Sequence, residues 1–287
     1  MRVVVVTIAA GRHTHLAAQR AHLAALPSPP EHVVVAMGDP QVAGVVGAVP
    51  GVHVVEVPAA PGHLPLALAR NTGVEQALGL GADLVVLLDV DCLPGRGLID
   101  AYTRAAGRLE HALLCGPVTY LPAEAGSPAP GELQRWTSPH PARPAPRDGR
   151  LERGGDHRLF WSLSFACTPA TWRRLGGFCT DYDGYGGEDT DLGMVASREA
   201  VELVWVGGAH AYHQHHPVSS PPVEHLDDIL RNAATYHRRW GEWPMEGWLR
   251  AFAERGLVTY DGTAWRRTTP AGVPPGVPAA IPEEMAR

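Results

Sequence analysis

Leu84-Val85-Val86-Leu87-Leu88-Asp89-Val90-Asp91 is the stretch on which the fold of this chain turns. Five apolar residues, then two carboxylates and Cys92-Leu93-Pro94-Gly95, predict a buried strand that stops at a polar rim. On an extended chain, residues i and i+2 point to the same side, so Asp89 and Asp91 would face one ligand. Two such oxygen ligands at the carboxyl end of a strand can hold a hard divalent cation that also grips phosphate. A D-x-D by itself is also compatible with a surface turn carrying two solvated acids.

Outward from this strand the pattern alternates. Strands are predicted over 3–8, 32–37, 52–57, 84–88 and 112–119, and helices over 14–26, 66–80 and 99–110. This is α/β spacing, which implies a mixed, mostly parallel central sheet with helices on both faces. Ligands of such sheets bind beyond the carboxyl ends of the strands, where Thr7, Asp39, Arg70, Asp89 and Asp91 would gather.

From about 122 to 155 the chain is rich in Pro, Gly, Ser and Arg and shows no period, which reads as a mobile lid, a disordered stretch or a surface insertion. A strand-like segment over 159–167 follows. Thr168-Pro169 then has the form of a helix start. Residues 201–206 read as a strand leading to His213, 223–240 as a helix, and 248–255 as a short helix. From Thr269 onward the Pro, Gly and Ala content predicts disorder. The expected organisation is a unit over 1–220, a helical extension over 221–268 and a tail over 269–287.

The 287 residues suffice for one large domain with a short appendage, and 45% hydrophobic residues supply a core. The net charge of −6 gives no basic surplus for nucleic acid or an anionic membrane. The four cysteines form no C-x-x-C pair, which argues against a structural zinc site and fits a reducing compartment. The opening apolar run is too short to span a bilayer and lacks a cleavage region. A cytoplasmic location is expected, with peripheral membrane attachment open.

A second motif is Gly184-Tyr185-Gly186-Gly187-Glu188-Asp189-Thr190-Asp191, three carboxylates in four residues after a glycine pair. Asp189 at a helix start would be held while the other acids splay around it. Helix capping on a solvated face is the competing explanation, above all for Asp191. Among the 15 histidines, His210, His213, His215 and His216 stand apart because they follow Gly207-Gly208 after a strand. A neutral imidazole can complete a metal site begun by carboxylates; His213 is the first choice and His215 the second. A zinc site of His213, His215 and His216 alone would need adjacent residues to face one ion.

Taken together, Ala69-Arg70-Asn71-Thr72-Gly73, Leu88-Asp89-Val90-Asp91, Gly176-Gly177-Phe178, Gly184 to Asp189 and Ala211-Tyr212-His213-Gln214 resemble a family 2-type glycosyltransferase with a GT-A fold. Residues 160–191 look most like the segment shared by β-1,4-galactosyltransferases and chondroitin-polymerase-like enzymes. The resemblance implies that Asp89 and Asp91 bind nucleotide and metal, with Asp91 the direct ligand and His213 the other. It implies Asp189 as catalytic base, Glu188 as the residue holding the acceptor sugar, and Trp161 and Tyr185 as stacking platforms. Tyr185 stands where such sequences often carry Trp. Thr7, Asp39 and Arg70 would contact base, ribose or diphosphate. The cofactor implied is Mn2+ or Mg2+, and the donor a nucleoside-diphosphate sugar, UDP-linked rather than GDP-linked. The acceptor would be a polysaccharide, a lipid-linked glycan, a peptide or a small molecule; the oligomeric state is open, with a homodimer one option.

Two other functions fit parts of the pattern. A nucleotidyltransferase also uses acids and a metal on an α/β sheet, but it normally needs a Gly/Arg/Lys-rich loop after the first strand. That position reads Ala9-Ala10-Gly11-Arg12-His13-Thr14, and the chain contains no lysine at all. A non-catalytic sugar- or nucleotide-binding module would be expected to have lost Asp189 or the D-x-D. A serine hydrolase lacks its G-x-S-x-G.

Overall fold

The computed structural model describes residues 1–268 apart from Pro61, Glu110 and Val218, so the tail expected over 269–287 lies outside the described residues. The chain begins β1 (Val3–Ala9), α1 (His13–Ala24), β2 (Glu31–Met37), α2 (Gln41–Val46), β3 (Val52–Val57) and α3 (Leu66–Gly79). It continues β4 (Leu84–Leu88), β5 (Cys92–Pro94), α4 (Leu98–Ala106), β6 (Ala112–Cys115), β7 (Val118–Tyr120) and β8 (Leu151–Arg153). Next come β9 (Ser164–Cys167), α5 (Pro169–Leu175), α6 (Glu188–Arg198), β10 (Glu202–Val206) and β11 (Ala211–His213). The last elements are α7 (Leu226–Trp240), α8 (Glu246–Glu254), β12 (Val258–Tyr260) and β13 (Trp265–Arg267).

Eight strands form the central sheet in the order β3-β2-β1-β4-β9-β6-β10-β8. β1 runs parallel to β2 and β4, β2 to β3, and β6 to β10. β9 enters antiparallel between β4 and β6, and β8 closes the edge antiparallel to β10. Side-chain alternation along β4 sends Val85 and Leu87 to one face and Leu84, Val86 and Leu88 to the other. The first face packs Ala67, Ala69, Val74 and Ala77 of α3, and the second packs Leu98, Ala101, Tyr102 and Ala105 of α4. Each fully buried Val or Leu contributes about 1.5–3 kcal/mol. α3 lies so close to the sheet that a Cβ at Gly73 would overlap Val6 and stand 2.9 Å from Val35 Cγ2. This close contact sets the height of Arg70 above the strand ends.

Several elements differ from expectation. The strand expected over 112–119 is two strands, because Pro117 offers no N–H to the ladder. At Gly116 the chain passes against Ala209, whose carbonyl a Cβ would overlap. Beyond that break, β7 leaves the main sheet and joins β11 and β5 in the order β5-β11-β7. The stretch 122–155 carries short 3-10 turns at Ala123–Ala125 and Leu133–Trp136 and ends in β8. Its first part is anchored by Leu121 and Leu133, which pack with Leu93 of β5 and Tyr212 of β11. The expected strand over 159–167 is ordered as a strand only from Ser164. The helix start at Thr168 is as read: its hydroxyl accepts from Thr171 N at 3.2 Å.

Candidate functional site

The turn after β4 gives its two acids different partners. Asp89 N donates to Leu163 O at 3.0 Å, and Cys92 N donates to Asp89 O at 2.8 Å, so the chain folds back at once into β5. The i, i+2 argument assumed extended backbone; the turn sends each carboxylate to a different partner. Asp89 Oδ1 accepts from Arg70 Nη2 at 3.1 Å. Asp91 Oδ2 lies 3.5 Å from His213 Nε2 and 3.4 Å from His216 Nε2.

The small sheet makes the second of these groupings. Antiparallel pairing sets His213 opposite Cys92, one residue past Asp91. Gln214 N then donates to Asp91 O at 2.6 Å, which brings His216 round to the same carboxylate. Ligand atoms of Asp91, His213 and His216 all lie within 4.8 Å of one another, a geometry able to hold a metal ion. His215, the second choice from sequence, is exposed and outside the group; His216 takes its place. Asp89 is not part of this group either, because its oxygen is engaged by Arg70. Burial alone would raise the Asp91 carboxyl, but the His216 and His213 imidazoles outweigh it and hold it below its ordinary value. Burial depresses His213, which favours the neutral, ligating imidazole. One carboxylate and two imidazoles suit manganese and related ions better than magnesium, which prefers oxygen ligands.

Arg70, buried on α3, joins the D-x-D to the second motif. Its Nη1 donates to Glu188 Oε1 at 2.9 Å while Nη2 serves Asp89. Burial would lower the guanidinium, yet Asp89 and Glu188 overcome it and raise it. The neighbouring Asn71 makes a reciprocal pair with Phe178, Nδ2 to O and N to Oδ1, both 2.9 Å, so the A-R-N and G-G-F motifs lock together. Glu188 opens α6 and is almost fully buried; its Oε2 has no hydrogen-bond partner among the described residues. Asp189, partly exposed, accepts from Thr190 N at 2.7 Å. Desolvation, and after it the Glu188 charge, push its carboxyl above the ordinary range, against the pull of Arg70.

Two of the expected nucleotide contacts have other surroundings. Thr7 is fully buried, and its hydroxyl is engaged by Gln19 Oε1 (2.9 Å), Leu88 O (3.0 Å) and His32 Nε2 (2.9 Å), so it does not line the cleft. Gln19 in turn donates to Asp89 O at 2.7 Å and Cys92 O at 2.9 Å, which fixes the D-x-D turn from beneath. Nothing local in the sequence marked Gln19, a polar residue on the buried side of α1. Asp39 accepts from Gly11 N (2.7 Å), His13 Nε2 (2.8 Å) and Gln41 N (3.0 Å), and the Gly11 bond foremost keeps it below its ordinary value. It thereby shapes the β1–α1 loop at the sheet edge.

The aromatic residues form the walls. Tyr120, missed in the sequence, stacks on His213 with centroids 4.6 Å apart, and its other neighbour is His140 at 5.5 Å. His140 meets Trp161 edge-on at 5.3 Å. Tyr185 is exposed and stacks on His225 at 4.4 Å. Its phenol is held above its ordinary value by burial and then by the charges of Asp189 and Glu188. Asp191, by contrast, is fully buried and accepts from Tyr182, Arg239 and Trp240; it is structural.

No protein-family model matches this chain, and no curated protein matches it. Solved structures do. A structure of residues 1–349 of S. aureus TarS in complex with UDP superposes with a TM-score of 0.57 at 13% identity, over 90% of this chain and 78% of that one. The same protein in complex with UDP-GlcNAc gives 0.56 at 12%, over 88% and 80%. GalNAc-T7 with UDP, GalNAc and Mn2+ gives 0.59 at 14%, over 90% of this chain and 51% of that one. The fold is therefore GT-A, a mostly parallel sheet flanked by helices.

Proposed function

We propose that the chain is a metal-dependent inverting glycosyltransferase, related to the family 2 and β-1,4-galactosyltransferase-like enzymes, that moves a sugar from a UDP-sugar to an acceptor hydroxyl. The observation that carries this reading is the Arg70 bridge between Asp89, at 3.1 Å, and Glu188, at 2.9 Å, with Asp189 next in the chain. It joins the end of β4 to the start of α6, where burial and then the Glu188 charge raise the Asp189 carboxyl against the pull of Arg70. The solved neighbours that bind UDP, UDP-GlcNAc or UDP with Mn2+ support the donor class. The catalytic unit in this reading is 1–220, with 221–268 as an added helical segment.

Asp91, His213 and His216 would hold the ion. When bound, a divalent ion supplies positive charge against the leaving diphosphate. Asp189 accepts the proton of the acceptor hydroxyl, and its raised carboxyl is suited to that task. The freed oxygen attacks the anomeric carbon opposite the diphosphate through an oxocarbenium-like state. A single displacement inverts that carbon. Glu188 Oε2 offers an unused acceptor to a hydroxyl of the incoming sugar, while Arg70 holds Oε1 and keeps the carboxylate oriented. Trp161 and Tyr185 would supply aromatic surface to sugar rings.

Calorimetric titration of UDP with and without Mn2+, followed by transfer assays on Asp189→Asn, tests the reading. Expected are Mn2+-dependent UDP binding in both proteins and a loss of transfer of about 10²–10⁴-fold in the variant. Normal turnover by the variant would remove Asp189 as the base. UDP binding indifferent to Mn2+ would remove the metal.

A further inference from the structure

The loop that leads into Glu188 and Asp189 does not place itself. Gly186 and Gly187 separate Tyr185 from the two acids, and glycine restrains the backbone least of all residues. What holds the loop lies 43 to 49 residues further on in the chain. His225, Asp228 and Asn232 are spaced three and four apart, which sets them on one face at the start of α7.

Asn232 is fully buried. Its Oδ1 accepts from Asp183 N at 3.2 Å, and its Nδ2 donates to Asp183 O at 3.0 Å and to Tyr185 O at 3.2 Å. Asp228 Oδ2 accepts from Tyr185 N at 3.1 Å. Arg231 Nη2 joins Asp228 Oδ1, at 2.6 Å, to Asp183 O, at 2.7 Å. Both backbone polar groups of Tyr185 are therefore held from α7. Its ring meets the same segment, His225 at 4.4 Å and Trp248 of α8 at 6.1 Å, with interplanar angles of 18° and 27°. The side chain still keeps open surface, with 38% of the residue exposed. The fit is close: a Cβ at Gly184 would overlap the Asp228 carboxylate, and one at Gly186 would stand 3.1 Å from Met245 Sδ. On the other side Gly184 N donates to Leu64 O at 3.1 Å, so the loop is closed between α7 and the chain entering α3.

A buried amide with its oxygen and both N–H groups engaged is satisfied by one loop conformation and stranded by others. Asp89 and the Asp91 group have their partners on α3 and on β11 and the turn after it, so the two sides of the cleft can be perturbed separately.

We infer that Asn232 and Asp228 are positioning residues for the acceptor: α7 fixes the backbone of Asp183 and Tyr185, and through it the Tyr185 ring against which an acceptor sugar stacks. The segment 221–268 then belongs to the acceptor side of the site. This rests on the glycosyl-transfer reading of the cleft, in which Tyr185 is an acceptor platform.

Two titrations of the full chain with Mn2+ test it. One uses UDP; the other uses methyl β-glucoside, methyl β-galactoside and methyl N-acetyl-β-glucosaminide in the presence of UDP, read by saturation-transfer NMR. Both are made well below the melting temperature of each protein, so a loss of stability alone leaves the affinities unmoved. The wild type is expected to bind at least one glycoside, and Tyr185→Ala to lose it. Asn232→Ala and Asp228→Ala should weaken that glycoside about tenfold or more, the worth of one well-placed contact, with UDP affinity kept. Asp228→Asn retains an oxygen for Tyr185 N and should restore glycoside binding. The Asp228 pair carries the test if Asn232→Ala does not fold. Wild-type glycoside affinity in both alanine variants overturns the inference and makes these contacts purely structural. Joint loss of UDP and glycoside in Asp228→Ala overturns it too, because α7 would then support the whole cleft. No glycoside binding by the wild type, with UDP bound, overturns it and leaves the transferase reading intact. Glycoside binding that depends on Asn232 or Asp228 without any UDP binding would uphold the positioning role and remove the transferase reading. Binding of neither ligand would remove both.

Discussion

Asp189 holds its proton more tightly in the folded chain than an ordinary aspartate, because it is desolvated and sits beside Glu188. As a base it is active only when ionised, so kcat/KM is expected to rise with pH through this raised value and to fall off below it; a pH–rate profile measures this. The sign for stability is opposite. A carboxyl whose folded pKa is raised favours folding at low pH and loses that contribution as pH rises through the folded value. Asp189→Asn cannot ionise, so its melting temperature relative to wild type should climb between acidic and neutral pH. At the metal group, His216→Ala is expected to weaken Mn2+ binding roughly tenfold or more, read as free Mn2+ by electron paramagnetic resonance, while His215→Ala leaves it unchanged. The acids and His213 could be picked out in the sequence because their residue types and spacing suit the chemistry. His216 could not be told from His215 there, since only the turn after β11 decides which imidazole returns to Asp91.

α3 shows how an element carries a functional side chain. Its helical span was legible in the sequence, and in the structure Ala69, Val74 and Ala77 bury against the sheet, where α3 packs on β1 and β2. Its depth on the sheet was not, because that depends on Val6 and Val35 facing Gly73 from two other strands. Gly73→Ala should cost about 1–3 kcal/mol in urea denaturation by overpacking. It should also lower transfer activity, as Arg70 is lifted from Asp89 and Glu188. The β6–β7 break is the same kind of case. Pro117 was visible in the sequence, but that β7 would leave the sheet to flank β11, and so bring Tyr120 onto His213, needed a partner strand distant in the chain.

Across the whole molecule, one buried carboxylate ties the last helices to the rest. Asp191 on α6 accepts from Arg239 Nε and Trp240 Nε1, both at 2.7 Å, and from Tyr182 at 3.1 Å. Asp191→Ala strands these donors and should cost about 2–4 kcal/mol in thermal or urea unfolding. Faster proteolysis within 226–268 should accompany it. Among the described residues no helix is long and apolar enough to cross a membrane. By itself the sequence determined the α/β alternation, the strand that ends at Asp89, the helix start at Thr168 and the set of acids and imidazoles from which a site could be made. These follow from periodicity, capping and turn chemistry, which act over a few residues. Only the tertiary structure decided that Asp89 and Asp91 take different partners, that Thr7 supports the turn from the core, and that Arg143 is buried with no acid paired to it among the described residues. Such pairings are made when distant segments close on one another, as Arg70 does with Glu188 across 118 residues, and burial then sets the energy of each charge.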